Sequence, residues 1–510
     1  MLENLLVGLQ NIATLQNLLI VLVTTVAGML MGAMPGLTAT MAVALLVPFT
    51  YTMSPIAGLV GLGAIYQGAI YGGAFSAILI NTPGTPSSIG TTFDGYPMAR
   101  QGRGEEAVVA ATVASCVGGL FGTLALIFLS PPLAAIALEF GPAEYFWMGV
   151  FGLTIISSLS SRSLLKGLTG AAFGVLISTI GIAPIGGDVR FTFGLPSMQG
   201  GIELIVILIG FFCIPELLGI VFNGVRAYER VEYQRKRGVV LETTRTILGS
   251  MKGNLFRSSV IGTIIGILPG VGGSIANLVA YNETRRASKH PEKFGTGIID
   301  GIVATESSNN AVVGGGMIPL VTLGIPGAPP DAVIYGVLML HGLRPGPELF
   351  TQHADITYTF MLAVGLSAIA MVPVGIYGGR LLSRLVASLS AVYLVPAIAI
   401  LTIVGAYAIR NNFTDVVLML IFGVIGFGLR HLGFTGPPIV LGLILGPLME
   451  TGLVQSYLMG RAYFTPWVAL FVNPLSWVLI ALSVFSFLWP YIGTMRRFLV
   501  KPELEGVKDE

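Results

Sequence analysis

The amino-acid sequence predicts an all-α polytopic membrane protein with roughly 11 to 14 transmembrane or re-entrant helices, at ~20 residues per crossing. Three observations carry that prediction. The chain of 510 residues is 54% hydrophobic and 10% charged, with a mean hydropathy of +0.84. The run from Asn4 to Phe93 contains no Asp, Glu, Lys, Arg or His. A pattern of Pro-Gly steps occurs twice in the same order. A water-soluble domain does not carry such a composition.

Taken along the chain, the first charge-free run has room for about four crossings. Further charge-free stretches cover Ala107–Leu138, Tyr145–Ser161, Gly167–Gly187, Ser258–Asn282, Ser307–Pro330, Ile356–Gly379, Leu385–Ile409 and Ala462–Met495. Shorter apolar segments lie around Gly201–Phe222, Val416–Leu429 and Phe434–Met449. Each long stretch is near or above one span, and the alternation expected of barrel strands is absent.

Charge placement predicts orientation. Arg226, Arg230, Arg235, Lys236, Arg237, Arg245, Lys252 and Arg257 crowd one polar segment, which the positive-inside rule assigns to the cytoplasm. The same rule puts Arg496, Arg497 and Lys501 inside. The first basic residue is Arg100, so nothing basic holds the N-terminus in the cytoplasm and an external N-terminus is expected. No basic region precedes the first apolar run, which therefore reads as part of the mature protein and not as a cleaved signal.

Cys116 and Cys213 lie in apolar stretches and His290, His341, His353 and His431 are scattered, so neither a disulfide framework nor a metal spacing emerges. HExxH, CxxC and GxxxxGK[ST] do not occur, which leaves zinc proteolysis and ATP hydrolysis without their usual signatures. No cofactor is expected.

The repeat is the most informative feature. Gly28-x3-Gly32-x2-Pro35-Gly36, followed by Thr38, Thr40 and Ala42, is matched by Gly262-x3-Gly266-x2-Pro269-Gly270, followed by Gly272, Ser274 and Ala276. Gly72-Gly73-x9-Pro83-Gly84-x-Pro86 is matched by Gly315-Gly316-x9-Pro326-Gly327-x-Pro329. Two identical spacings in one order imply a duplication. The expected organisation is a first membrane repeat over 1–225, a cytoplasmic linker over 226–257, a second repeat with additional spans over 258–495, and a cytoplasmic tail over 496–510. With the linker inside and the N-terminus outside, the two repeats are expected to be inverted.

A Pro-Gly step within an apolar span removes a backbone donor and interrupts the helix. The freed N–H and C=O groups cannot face lipid, and half-helix N-termini favour anions. A single step could equally be a kink or an aqueous turn. Here polar residues accumulate beside the steps: Asn81, Thr82, Pro83, Gly84, Thr85 and Ser87 in the first half, and Glu306, Ser307, Ser308, Asn309 and Asn310 before Pro326-Gly327 in the second. With Thr38, Thr40, Ser274 and Asn277 beside the first pair of steps, these are the candidate substrate- or ion-binding residues.

Hydroxyl and amide oxygens suit a sodium ion, and their donors suit carboxylate oxygens. A sodium site is expected at Asn81, Thr82, Ser308 and Asn309. Glu306, between apolar segments, is either a proton or cation site or a residue at a water-facing helix end. Asp331 is a candidate half-helix cap. Asp94–Glu106 reads as a polar cytoplasmic turn leading into a helix.

These motifs carry a resemblance. Pro35-Gly36-Leu37-Thr38-Ala39-Thr40-Met41-Ala42, Tyr71-Gly72-Gly73, Asn81-Thr82-Pro83-Gly84-Thr85-Pro86 and Asp94-Gly95-Tyr96-Pro97-Met98-Ala99 resemble the large membrane subunit of the tripartite tricarboxylate transporter family. Leu268-Pro269-Gly270-Val271-Gly272-Gly273, Glu306-Ser307-Ser308-Asn309-Asn310-Ala311 and Gly324-Ile325-Pro326-Gly327 resemble it in the second half. The resemblance implies a multi-pass subunit of the bacterial inner membrane. It implies a secondary carrier that receives a carboxylate, citrate being the best known, from a periplasmic substrate-binding protein. It also implies a small membrane subunit as partner and a sodium or proton gradient as the driving force. A nucleic-acid partner is not expected. A channel or scaffold subunit without a carrier cycle is the alternative; an intramembrane enzyme lacks a second matched catalytic group.

Overall fold

The computed structural model describes residues 1–160, 163–223, 237–388, 391–463 and 465–500. Arg226, Arg230, Arg235 and Lys236 of the expected linker, and positions 501–510 of the expected tail, lie outside the described residues.

In chain order the helices are α1 (Leu2–Ile12), α2 (Leu15–Ala33), α3 (Ala39–Thr50), α4 (Pro55–Ile80), α5 (Thr91–Met98), α6 (Gly104–Ala137) and α7 (Pro142–Ser160). There follow α8 (Leu164–Ser178), α9 (Leu204–Asn223), α10 (Val239–Ser250), α11 (Lys252–Ile267), α12 (Gly272–Ala287), α13 (Ile299–Leu323) and α14 (Pro329–Leu340). The last are α15 (Pro347–Thr351), α16 (Ala354–Ser388), α17 (Ala391–Arg410), α18 (Phe413–His431), α19 (Gly436–Tyr463) and α20 (Pro474–Val500). Among the described residues, 7 helices are long and apolar enough to cross a membrane, and further apolar helices are shorter. The only strands described form a two-stranded hairpin, Gly181–Ile182 with Val189–Arg190. The molecule is thus an all-α polytopic membrane protein.

Packing sorts the chain into two units: Met1–Leu138 with Glu203–Gly428, and Glu139–Ile202 with Leu429–Glu510. In the second unit α19 packs along α8 and α7, and α20 along α7. Arg190 from the hairpin makes a paired ion bridge to Glu450 on α19, at 2.7 and 3.1 Å.

The first unit contains the repeat, and the duplication is visible atom for atom. A side chain on Gly28 would strike the Ile65 carbonyl, and one on Gly32 that of Ala69; in the second half Gly262 meets the Ser308 carbonyl and Gly266 that of Val312. Gly72 lies against Met29 O and its counterpart Gly315 against Thr263 O. Helix pairs α2–α4 and α11–α13 are therefore the same parallel pair, with backbones brought together by residues lacking a β-carbon. Each long helix ends on a left-handed residue, Asn81 (φ 54°) for α4 and Gly324 (φ 71°) for α13. Asn and Gly tolerate that conformation best.

The repeats exchange their long helices. α6 packs along α13, and α16 along α4. Gly118 lies on Ser307 and Gly122 on Ala311, so α6 and α13 run parallel; Gly63 meets Val364 and Gly375 meets Tyr71, so α4 and α16 do too. Where α6 and α16 cross, Gly119 faces Ala368 and Gly365 faces Thr123, the antiparallel order. Equivalent helices thus point in opposite directions, which makes this an inverted repeat.

Candidate functional site

The second break of the first repeat folds back under its own helix. Gly84 N–H donates to Gly73 O at 3.4 Å, and Thr85, Ser87 and Ser88 are buried in the turn that leads to α5. Thr85 Oγ1 and Ser87 Oγ share a hydrogen bond of 3.1 Å, and Ser88 Oγ donates to Thr85 O at 2.8 Å.

The second repeat grips this turn from α12. Asn277, fully buried, donates from Nδ2 to Ser87 O and accepts at Oδ1 from Gly90 N–H, both at 2.9 Å. At the start of the same helix Gly273, the second residue of α12, abuts both Ser87 and Asn309 Oδ1. Gly270, in the turn before α12, donates its N–H to Gly327 O at 2.8 Å. The Leu268–Gly273 break is therefore where the Pro83-Gly84 turn of one repeat and the Pro326-Gly327 turn of the other both make contact.

Asn309 and Asn310 lie in mid-α13 with no exposure. Asn309 Nδ2 donates to Ile70 O at 3.5 Å and Asn310 Nδ2 to Gln67 O at 3.2 Å. Among the described residues the side-chain oxygens of both, and both side-chain polar atoms of Gln67, have no hydrogen-bond partner. Gln67 and Asn310 occupy equivalent positions of the two repeats, so this amide pair sits where the halves cross. Buried polar atoms left open in this way are expected where a ligand or water completes the site.

Glu306 is fully buried on α13, accepting at Oε1 from Thr91 Oγ1 (2.5 Å) and at Oε2 from Ser115 Oγ (2.9 Å). Ser307 and Ser308 are buried but return their hydroxyls to their own helix, at Val303 O and Thr305 O. Asp331 is buried, with Oδ2 accepting from Ala328 N–H at 2.7 Å; it caps α14, as its place after Pro329-Pro330 suggested.

The remaining sequence candidates fall outside this cluster. Asn81 is exposed at the end of α4, and Thr82 bonds its own chain at Ile80 O. Among the described residues no hydrogen bond joins Asn81 or Thr82 to Ser308 or Asn309; Gly273, which also abuts Ser87, is what lies against Asn309 Oδ1. Thr38 caps α3 through Met41 N–H at 3.1 Å, Thr40 is buried two residues on, and Ser274 is half-buried near the start of α12.

Sequence reasoning missed Thr91, Ser115, Gln67 and Asp94. Asp94, read as part of a polar turn, is fully buried on α5 and ties it to the second repeat. Its Oδ1 accepts from the N–H groups of Gly295, Gly297 and Ile298 at 2.9, 2.9 and 3.0 Å, and its Oδ2 from Tyr281 Oη at 2.9 Å. A signal was present for Gln67, a polar residue in an uncharged span at the position matching Asn310.

Broken helices, an inverted repeat and buried amides and hydroxyls at the contact of the two halves define a multi-pass membrane protein with transporter architecture. The family comparison agrees: a model described as "Tripartite tricarboxylate transporter TctA family" matches residues 18–441, and the chain belongs to that family. It is 35% identical over 486 residues, 95% of each chain, to an Agrobacterium vitis protein described as "Uncharacterized 52.8 kDa protein in TAR-I ttuC' 3'region". It is 32% identical over 237 residues to the "Uncharacterized protein in TAR-II ttuC' 3'region" of the same organism, covering 46% of this chain and 96% of that protein. No solved structure matches it.

Proposed function

We propose that this chain is the large membrane subunit of a secondary active importer in the bacterial inner membrane. It takes tricarboxylates of the citrate kind, or other carboxylates, from a periplasmic substrate-binding protein and works with a small membrane subunit. A sodium or proton gradient drives the cycle.

The observation that carries this reading is the meeting of Ser87, Gly273, Asn277 and Asn309 at the N-terminal end of α12. A helix N-terminus, hydroxyls and amide donors, with a glycine where a side chain would block approach, suit a carboxylate. Asn309 Oδ1, buried and open, suits an accompanying cation. Arg and Lys are absent from this cluster, so backbone and neutral donors carry the recognition.

The test is uptake by vesicles reconstituted with all three components. Labelled carboxylate should accumulate against its own gradient only when a sodium or proton gradient is imposed; equilibration without accumulation would mean a channel and reject the carrier. Asn309→Ala and Asn277→Ala should each weaken substrate or ion binding by about 1–3 kcal/mol, the range for leaving a buried partner unsatisfied. Wild-type transport in both variants would remove this cluster as the site.

A further inference from the structure

The internal repeat supplies its own control for Glu306. By the spacing that pairs Gly315 with Gly72 and Pro326 with Pro83, the counterpart of Glu306 is Gly63. Glu306 faces Ser115 of α6; Gly63 faces Val364 of α16, and the contacts of Ser307 with Gly118 and of Ala64 with Ser367 put Ser115 and Val364 in matching places. The fold therefore builds one of these two joints from a glycine and a valine, with no polar group. Packing does not require a carboxylate here, and burying one is costly when no positive side chain offsets it. Among the described residues Glu306 has no ion pair; hydroxyls alone hold it.

The ionisable groups on the surrounding elements are Asp94 and Tyr96 on α5, Glu105, Glu106 and Cys116 on α6, Asp300 on α13, Lys252 and Arg257 on α11, Tyr281, Glu283, Arg285 and Arg286 on α12, Asp331 and Tyr335 on α14, Glu348 on α15, and Tyr66 and Tyr71 on α4. Asp94 is taken up by Tyr281 and three backbone N–H groups, Glu106 by Arg103, Glu283 by Arg286, and Arg257 reaches Thr284. None of these bonds includes Glu306.

The hydroxyls close on the carboxylate at 2.5 and 2.9 Å, and Thr305 Oγ1 lies 3.1 Å from Thr91 Oγ1. These are direct oxygen-to-oxygen hydrogen bonds. Each of these hydroxyls can donate or accept, so the set serves the carboxyl group in either protonation state. We infer that Glu306 binds and releases a proton that couples to transport, an inference resting on the importer reading above. An ionised Glu306 accepts from both Thr91 and Ser115; a protonated one carries a donor of its own, so one hydroxyl must turn from donor to acceptor. Thr91 directly follows Gly90, the residue held by Asn277, so that turn is felt in the segment that carries Ser87.

The experiment is infrared spectroscopy of the purified full-length chain in detergent, without substrate. Wild type minus Glu306→Gln should contain a protonated-carboxyl band that fades as pH rises, and Ser115→Ala should shift that band in frequency, a change that loss of structure elsewhere would not produce. In vesicles, Glu306→Gln should lose accumulation driven by a pH gradient and retain exchange of internal for external substrate. The inference is overturned if the band is the same in wild type and Glu306→Gln at every pH, or if pH-driven accumulation survives the substitution. It is also overturned if sodium, and not pH, changes the Glu306 signal. If the unaltered protein accumulates nothing under any gradient, the importer reading fails while the infrared result still decides the proton site.

Discussion

Asp94 shows how one side chain can join two halves of a membrane domain. It sits on α5 of the first repeat, and among the described residues its hydrogen-bond partners belong to the second: the N–H groups of Gly295, Gly297 and Ile298 and the Tyr281 hydroxyl. Gln101 and Arg103 add bonds to Thr296 O and Gly297 O nearby. Asp94→Ala leaves four donors without their acceptor, those of Gly295 and Ile298 only part-buried, and should cost about 1–3 kcal/mol, the range for a buried polar group left unsatisfied. The melting temperature of the purified chain measures it; a melting temperature equal to wild type would show that the latch contributes nothing. This lock was not legible in the sequence, where Asp94 stands among Gly, Tyr and Pro and looks like a solvated turn. Its partners are backbone groups far along the chain, and backbone donors have no residue signature. Asn277, by contrast, was legible, because an amide in an apolar span beside a Pro-Gly break needs a partner wherever the fold puts it.

At the scale of helices, the decisive residues are those without side chains. Gly28 and Gly32 on α2 and Gly262 and Gly266 on α11 let two helix pairs approach until carbonyls touch α-carbons, and Gly84 and Gly327 press on the Gly32 and Gly266 carbonyls in turn. Gly32→Val and Gly266→Val should therefore abolish folded protein, read as loss of the monodisperse peak after extraction, since backbone must move to admit the branch. Gly249, exposed on α10 with nothing near it, is the matched control: Gly249→Ala should leave the protein folded and slightly more stable, by about 0.5–1 kcal/mol from helix propensity. Equal tolerance at these positions would reject the close-packed joint.

The breaks were readable because Pro-Gly in an apolar run has few structural meanings. The pairing of α6 with α13 was not, since helix exchange between repeats leaves no trace in spacing.

For the molecule as a whole, the symmetry reaches further than the motifs. α1 precedes α2 and packs on α16; α10 precedes α11 and packs on α6, the counterpart of α16. Both are short and two-sided: α1 buries Gly8 and Ile12 while Leu2, Leu6 and Leu9 are exposed, and α10 buries Thr243 and Ile247 while Leu241 and Leu248 are exposed. Their sequences share no motif, so only the common packing reveals them as equivalent.

A short helix with one apolar exposed side, placed just before the helix that leads into a Pro-Gly break, suits the membrane–water boundary. Because α2 and α11 point in opposite directions, α1 and α10 should lie at opposite boundaries. Arg245 on α10 and Lys252 at the start of α11 set that end as cytoplasmic, which leaves α1 outside. The measurement is thiol labelling in whole cells with a membrane-impermeant reagent, after Cys116 and Cys213 are replaced by serine. Glu3→Cys should react in intact cells, and Glu242→Cys, exposed on α10, only after permeabilisation. The opposite result at both positions would invert the orientation and keep the symmetry. Reaction of both from one side would sink the inverted repeat itself, because no arrangement of antiparallel equivalent helices places their leading ends on the same face of the membrane.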